Sequence, residues 1–539
     1  MIKTITKRDG RKAPFNAEKI ANAIFKAAES VGGTNYDESL EAAYKVCEYI
    51  EDTLKTKSPS VEQVQDAVEK VLIENGHSKT AKSYILYRAE RTRAREMNTK
   101  LMKTYEDLTF KSAADVDIKR ENANIDGDTA MGTMLRYGSE GSKQFYEMYV
   151  LDPVHAAAHN CGDIHIHDLD FYTLTTTCCQ IDIIKLFKDG FSTGHGFLRE
   201  PNDIQSYSAL ACIAIQSNQN DQHGGQSIPN FEYGMAFGVK KTYIRIFTIN
   251  LSKSLELLAN VDDALTVAKS IVAQIKEKYN LSPSLANVDE FQKVEREWLS
   301  QYADEAVCDR IDEFTKRKTL AETDRATFQA MEALIHNLNT MHSRAGAQIP
   351  FSSINYGLDT SDEGRMVMKN VLLATEKGLG DGETPIFPIQ ILKVKEGINY
   401  NPSDKNYDIF KLACKVSAKR LFPNFSFIDA PFNITNYKEG DSDSEVAYMG
   451  CRTRVVANNY DKSRQVTGGR GNLSFTSINL PRLGIEAKGD LNKFYSMLDD
   501  KMELICDQLL HRFKVQSQKK VKNYPFLMGQ GVWLDSEKL

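Results

Sequence analysis

No run of roughly 18 apolar residues occurs anywhere in the chain, so no ordinary membrane-spanning helix is expected. The first 10 residues are polar and charged with no apolar stretch, which argues against a secretory signal. No CxxC pair exists among the nine cysteines, at 47, 161, 178, 179, 212, 308, 414, 451 and 506. An odd number of scattered cysteines in a 539-residue chain argues against a disulfide framework. Excess positive charge is also missing. A net charge of -5 and a pI near 6.1 give no support for a nucleic-acid or lipid-surface role. Internal repeats and low-complexity segments are absent too. The expected setting is the cytoplasm, with thiols kept reduced.

What is present is ordinary for a globular protein: 41% hydrophobic and 26% charged residues. At 539 residues, two or more domains are expected. Residues 1–95 read as one unit. Residues 2–6 suit a short strand, and Asp9-Gly10 a hairpin turn. Asn16 is placed to cap a helix with Ile20, Ala23, Ile24 and Ala27 on one face. Ser58-Pro59 reads as another helix start, with proline at the first helical position. Val61, Val64, Val68, Val71 and Leu72 then recur at helical spacing until Gly76. From Ala81 to about Tyr105 the chain is dense in Arg, Lys and Glu, including Arg88, Arg91, Arg93 and Arg95; an exposed joining helix is expected. Residues 96–120 are taken as a helical linker and 121–539 as the second, larger domain. There, 349–354, 385–392 and 475–480 read as strands, and 262–279 and 321–339 as helices, which argues for an α/β architecture. The charge density of 280–330 suggests peripheral helices rather than core.

Four segments stand out. They are Met449-Gly450-Cys451-Arg452; Gly468-Gly469-Arg470-Gly471-Asn472 with Asn479-Leu480-Pro481-Arg482; Gly162-Asp163-Ile164-His165-Ile166-His167-Asp168-Leu169-Asp170; and Thr177-Cys178-Cys179-Gln180-Ile181-Asp182. They resemble the active-site segments of the anaerobic (class III) ribonucleoside-triphosphate reductases, glycyl-radical enzymes that make deoxyribonucleotides. The start, Thr6-Lys7-Arg8-Asp9-Gly10-Arg11 with Phe15-Asn16 and Lys19-Ile20, resembles the ATP-cone, a regulatory nucleotide-binding domain. The resemblance implies a ten-stranded α/β barrel of two half-barrels, incomplete at the C-terminus, preceded by an α-rich ATP-cone. It also implies ATP and dATP as allosteric effectors, contacted by Lys7, Arg8, Asn16, Lys19 and Arg91. A triphosphate needs converging cations and backbone donors, which suits two cations beside a tight turn. Val61 and Gln65 fall where some relatives carry a polar base- or sugar-contacting pair.

The implied chemistry is radical reduction. A thiyl radical takes the 3′ hydrogen of the ribose so that the 2′ oxygen can leave as water. Cys451 matches the thiyl position and Cys178 the second active-site cysteine, with its neighbour Cys179 the alternative. In a strand the two adjacent side chains point to opposite faces. Asn472 matches the asparagine of the formate-using branch, so formate is the implied reductant. His342 and Ser343, within Asn339-Thr340-Met341-His342-Ser343-Arg344, match a motif lining the substrate channel. His165 and His167 share a strand face and could bind metal with Asp163 or Asp170, but the family has no metal there, and a structural or substrate-lining role is expected. His223-Gly224-Gly225-Gln226-Ser227 is a glycine turn able to approach a phosphate, and 462–470 is a basic loop; both are weak signals.

The family normally continues into a four-cysteine zinc site and a radical glycine, and neither motif occurs in these residues. A split gene with a separate glycyl-radical polypeptide, a truncated product, or a fragment retaining only nucleotide binding are the three expectations. The implied partners are ribonucleoside triphosphates, a radical-SAM activating enzyme and a second copy in a homodimer. Two rivals remain. A formate-lyase-type glycyl-radical enzyme carries paired cysteines at its loop tip, where this chain has Cys451 alone. A nucleotide-sensing regulator would begin with a zinc ribbon, which residues 1–10 are not.

Overall fold

The computed structural model describes residues 2–7, 11–111, 129–341, 349–450, 453–456, 458 and 460–539, excepting the side chains of 95–99 and 131. The chain divides into two units, Met1–Asp107 and Leu108–Leu539. Among the described residues no helix is long and apolar enough to cross a membrane.

In the first unit β1 (Thr4–Thr6) and β2 (Lys12–Pro14) pair antiparallel, with Ile5 opposite Ala13. The turn expected at Asp9-Gly10 lies outside the described residues. Helices α1 (Ala17–Glu29), α2 (Tyr36–Tyr49) and α3 (Val61–Glu74) follow, and α4 (Ser78–Phe110) begins here. Asn16 caps α1, its Oδ1 accepting the Glu18 N–H at 2.8 Å. The start of α3 departs from the expectation: Ser60, not Ser58, is the cap. Ser60 Oγ accepts from Gln63 N–H at 3.1 Å while Gln63 Oε1 accepts from Ser60 N–H at 2.8 Å. That reciprocal box satisfies two donors at once. Pro59 stays outside the helix, its carbonyl accepting the Thr6 N–H at 2.9 Å. The core joins Ile24, Val46, Ile50, Val68 and Leu72. Helix α2 buries mainly Ala42, Ala43 and Val46, small residues whose periodicity is faint in sequence.

The second unit opens with α5 (Ala130–Tyr149), α6 (Pro153–Asn160), β3 (Ile164–Ile166), β4 (Cys178–Gln180) and α7 (Ile183–Lys188). Next come β5 (Phe191–Ser192), β6 (Phe197–Leu198), α8 (Ile204–Asp221), β7 (Gln226–Ile228), α9 (Phe231–Ala259), α10 (Ala264–Tyr279), α11 (Val288–Leu299) and α12 (Glu305–Thr340). Strands β8 (Ser352–Tyr356), β9 (Ile389–Val394) and β10 (Asn424–Phe427) alternate with α13 (Asp362–Lys377) and α14 (Tyr407–Arg420). The last part holds α15 (Pro431–Ile434), β11 (Ala447–Met449), β12 (Thr453–Val455), β13 (Gly471–Asn472), β14 (Thr476–Ile478), α16 (Leu480–Ala487) and α17 (Leu491–Gln516).

Six of these strands form one sheet in the order β10-β9-β8-β7-β4-β13. The first five are mutually parallel and β13 runs antiparallel to β4. The chain is therefore α/β, as the alternation of elements predicts. Period-2 alternation divides the sheet's faces. Cys179, Ile228, Ile354 and Leu392 join the core with residues of α8, α9, α12 and α13. The register puts Cys178, Ser227, Asn355 and Lys393 on the opposite face. Strand ends fall two to four residues from the sequence expectation at β8 and β9.

The expectation of peripheral helices over 280–330 is corrected. Helices α11 and α12 bury Val288, Phe291, Leu299, Cys308 and Ile311 against α9 and α10 in a core of their own. Farther along, Ala326, Ala330, Met331 and Leu334 of α12 enter the main core. Dense charge on the outer face masks a narrow apolar stripe when a window averages both faces.

Candidate active site

Alternation along β4 turns Cys178 toward an open cavity and Cys179 into the helix-backed core. Burial pushes the Cys179 thiol far up, so it stays protonated and inert. Strand β13 sets Asn472 opposite Cys178. Strands β11 and β12 pair antiparallel, Met449 facing Thr453. Between them lie Gly450, which is described, and Cys451 and Arg452, which lie outside the described residues.

The flanks of that loop touch the site directly. Asn472 Nδ2 donates to Thr453 Oγ1 at 3.1 Å. Met449, Val455 and Cys178 form one buried cluster. Gly450 has φ +57°, a left-handed conformation that favours glycine, and a methyl built on it would stand 3.6 Å from Cys178 Sγ. The Gly225 N–H donates to the same sulfur at 3.2 Å. A methyl on Gly225 would lie 2.3 Å from Gly450 Cα, so the turn and the loop meet backbone to backbone. The glycines at 224 and 225 permit close chain packing, against Thr177 and Gly450 respectively.

The cavity is about 740 Å³ in volume, and its walls include Cys178, Gly225, Phe351, Met449, Gly450 and Thr453. Phe475, His165, Asp168, Asp170 and His223 also line it. His223 stacks on Phe171 with ring centroids 4.4 Å apart and planes 5° from parallel. Its Nε2 meets Asp168 Oδ2 at 2.9 Å and its Nδ1 meets Thr175 Oγ1 at 2.7 Å. Burial alone would raise the Asp168 carboxyl, but the hydrogen bond from His223 and the positive field of Arg512 outweigh it and hold the group below its usual value. Asp168 is therefore a fixed carboxylate that orients His223.

His165 and His167 do share a side of β3, their ring centroids 4.6 Å apart, and His159 lies 5.3 Å from His165. His167 Nε2 bonds Ser477 Oγ at 2.7 Å. Burial, aided by His165, lowers both His159 and His167, which keeps them neutral at pH 7. Asp163 is engaged by Lys501 at 2.6 Å and Arg482 at 3.1 Å, and Asp170 accepts from Ser139 at 2.7 Å. Among the described residues no group of three or more His, Cys, Asp or Glu side chains is arranged to hold a metal ion. Within the basic loop, Arg464 is bound to Asp535 at 2.6 Å.

Of the residues expected to act on substrate, Cys178 and Asn472 are brought together, whereas Cys451, His342 and Ser343 lie outside the described residues. In the first unit Lys7 follows β1, Asn16 caps α1 and Lys19 is exposed on the first turn of α1. Arg91 Nε donates to Tyr87 Oη at 3.1 Å, and Arg8 lies outside the described residues. Sequence reasoning did not find Thr453 or the pairing of His223 with Asp168. Thr453 directly follows the recognised loop motif, so proximity in sequence was an available signal; His223 and Asp168 lie in separate segments, and nothing local announces their pairing.

Comparison with known proteins places the chain in a family. A family model described as anaerobic ribonucleoside-triphosphate reductase matches residues 121–539, and one described as ATP cone domain matches residues 3–93. The anaerobic ribonucleoside-triphosphate reductase of Salmonella typhimurium is 26% identical over 535 residues, covering 98% of this chain and 65% of the relative. That of Escherichia coli is 27% identical over 534 residues, with the same shares. The chain thus spans about two-thirds, 65%, of the length of these relatives. The anaerobic ribonucleotide reductase from Thermotoga maritima, solved in complex with dATP and CTP, aligns with a TM-score of 0.49 and 12% identity over 83% of this chain and 65% of that one. Matched over most of its length by the first of these models, the chain belongs to the anaerobic ribonucleoside-triphosphate reductase family.

Proposed function

We propose that this chain carries the substrate cavity and the regulatory nucleotide site of an anaerobic ribonucleoside-triphosphate reductase. The net reaction joins a ribonucleoside triphosphate, formate and a proton to give the 2′-deoxyribonucleoside triphosphate, carbon dioxide and water. Cys451 serves as the thiyl position, removing and returning the 3′ hydrogen. Cys178 supplies reducing hydrogen from across the sugar, and Asn472 holds the ribose and formate side of the cavity. His342 and Ser343 assist substrate binding. The observation that carries this reading is that Cys178 and Gly450, the residue just before Cys451, line the same wall of a cavity large enough for a nucleotide, so near that a methyl built on Gly450 would stand 3.6 Å from the sulfur.

The six-stranded sheet suits one half of a ten-stranded barrel with part of the second. The reading requires a glycyl-radical segment with its zinc site from outside these 539 residues, and a radical-SAM enzyme to install the radical. ATP and dATP bind the first unit through Lys7, Arg8, Asn16, Lys19 and Arg91, and control activity by binding two states of a homodimer unequally. Calorimetry with ATP and dATP, followed by reconstitution with a radical domain, activase and formate, tests both halves. Cys451→Ala should abolish deoxynucleotide formation with nucleotide binding intact. Full turnover by that variant would overturn the assignment.

A further inference from the structure

The polar face of the sheet is not idle. Three successive parallel strands carry buried polar side chains on this face, among them Ser227 of β7, Asn355 of β8 and Lys393 of β9. All three converge on the short segment 445–449, which leads directly into Gly450. Asn355 grips one residue of that segment by both main-chain groups. Its Nδ2 donates to Tyr448 C=O at 2.8 Å, and its Oδ1 accepts the Tyr448 N–H at 2.7 Å. Ser227 Oγ donates to the same carbonyl at 2.8 Å. At the other end of the segment, Lys393 Nζ meets Glu445 Oε2 at 2.6 Å, with both side chains almost wholly buried. Tyr233 Oη donates to Glu445 Oε1 at 2.9 Å.

Burial alone does not account for this. An apolar pairing of similar volume would bury the segment at no cost in desolvated charge, and replacing a buried ion pair by packed hydrocarbon is often neutral or stabilising. Apolar contact, however, is non-directional and leaves a strand free to slide or rotate. Hydrogen bonds to the N–H and C=O of a single residue remove both freedoms. The tolerance is tight as well, because a methyl on Gly225 would stand 2.3 Å from Gly450 Cα.

We infer that Asn355, Ser227 and the Lys393–Glu445 pair form a clamp that fixes β11 in register, and thereby sets Gly450, the residue before Cys451, beside Cys178. They are positioning residues: none of them lines the cavity, Asn355 and Ser227 act through the backbone of Tyr448, and Lys393 acts through the side chain of Glu445. The clamp rests on the reductase reading for its purpose, but its existence is a property of this chain alone.

Hydrogen exchange and kinetics test it together. In Asn355→Ala, peptides covering 445–449 should exchange at least about tenfold faster, while those from β8 and α13 keep wild-type protection. In the complete, radical-loaded enzyme the same variant should lose about tenfold or more in kcat with KM for the ribonucleotide within about twofold, because misplacing a reacting group costs rate and not binding. If Asn355→Ala does not fold, Ser227→Ala removes the bonds of its hydroxyl to Tyr448 C=O and from Asn355 Nδ2 without touching the ion pair, and should show the same pattern at smaller amplitude. Unchanged exchange over 445–449, or a loss confined to KM, would overturn the clamp. Failure of the wild-type enzyme to make any deoxynucleotide would sink the reductase reading instead, and the exchange result would still decide whether the clamp exists.

Discussion

Gly225 offers the sharpest perturbation of the proposed site. Its dihedral angles do not demand glycine, so Gly225→Ala costs little in the backbone itself and the effect is steric. The added carbon would sit 2.3 Å from Gly450 Cα and 2.6 Å from Gly450 N. Ordinary carbon–carbon contacts are about 3.5–4.0 Å, so turn and loop must separate by about 1 Å or more. Both neighbours are main chain, so no flexible side chain can absorb the strain. Overpacking of this kind costs about 1–3 kcal/mol in stability. A displacement of that size in a catalytic group costs about 10²-fold in rate. We therefore expect Gly225→Ala to fold, to melt a few degrees lower, and to form deoxynucleotide about 100-fold more slowly in the complete enzyme, with nucleotide binding to the first unit unchanged. Turnover within about twofold of wild type, with an unchanged melting temperature, would refute the idea that the loop is seated on Cys178 through this glycine pair.

Other outcomes follow from the same geometry. Iodoacetamide at pH 8 should label Cys178 in the native protein and leave Cys179 and Cys212 untouched until denaturant is added, because burial pushes both of the latter thiols up, Cys212 to about 12; peptide mapping reads the result. Glu232 is fully buried beneath β8, its Oε1 accepting from the Gly357 and Leu358 N–H groups, and burial raises its carboxyl to about 7. A raised carboxyl means that the folded state binds the proton more tightly, so stability falls as pH rises from the unfolded value of about 4.5 through 7. Glu232→Gln should flatten that slope and be more stable than wild type at pH 8 by about 2 kcal/mol in urea titrations, with little difference at pH 5. Ser60→Ala should lower the stability of the first unit by about 1 kcal/mol through loss of the α3 capping box, read as a shift in its melting transition.

The site is partly legible in the sequence. Cys178 and Asn472 sit in motifs that carry their own chemistry, and strand alternation separates Cys178 from Cys179 by face. The cap of α1 at Asn16 and the stop near Gly76 were equally readable, because capping is local. What failed was set by averaging or by distance along the chain. The apolar stripe of α12 is diluted by charges on its other face. Pro59 looked like a helical first residue, yet its carbonyl is bound to Thr6, and the reciprocal bonds of Ser60 and Gln63 set the true start. The pairs His223–Asp168 and Lys393–Glu445 join residues on separate elements, and no local pattern announces them. Polar residues in the parallel strands β7, β8 and β9 were a usable hint, since such strands ordinarily read as continuous hydrophobic runs.

Turnover by two neighbouring single variants addresses the central claim most directly. In the complete, radical-loaded enzyme, Cys178→Ala should yield no deoxynucleotide, whereas Cys179→Ala, which only trims a core side chain, should retain turnover within a few-fold of wild type. Activity surviving in Cys178→Ala, or abolished in a well-folded Cys179→Ala, would contradict the account.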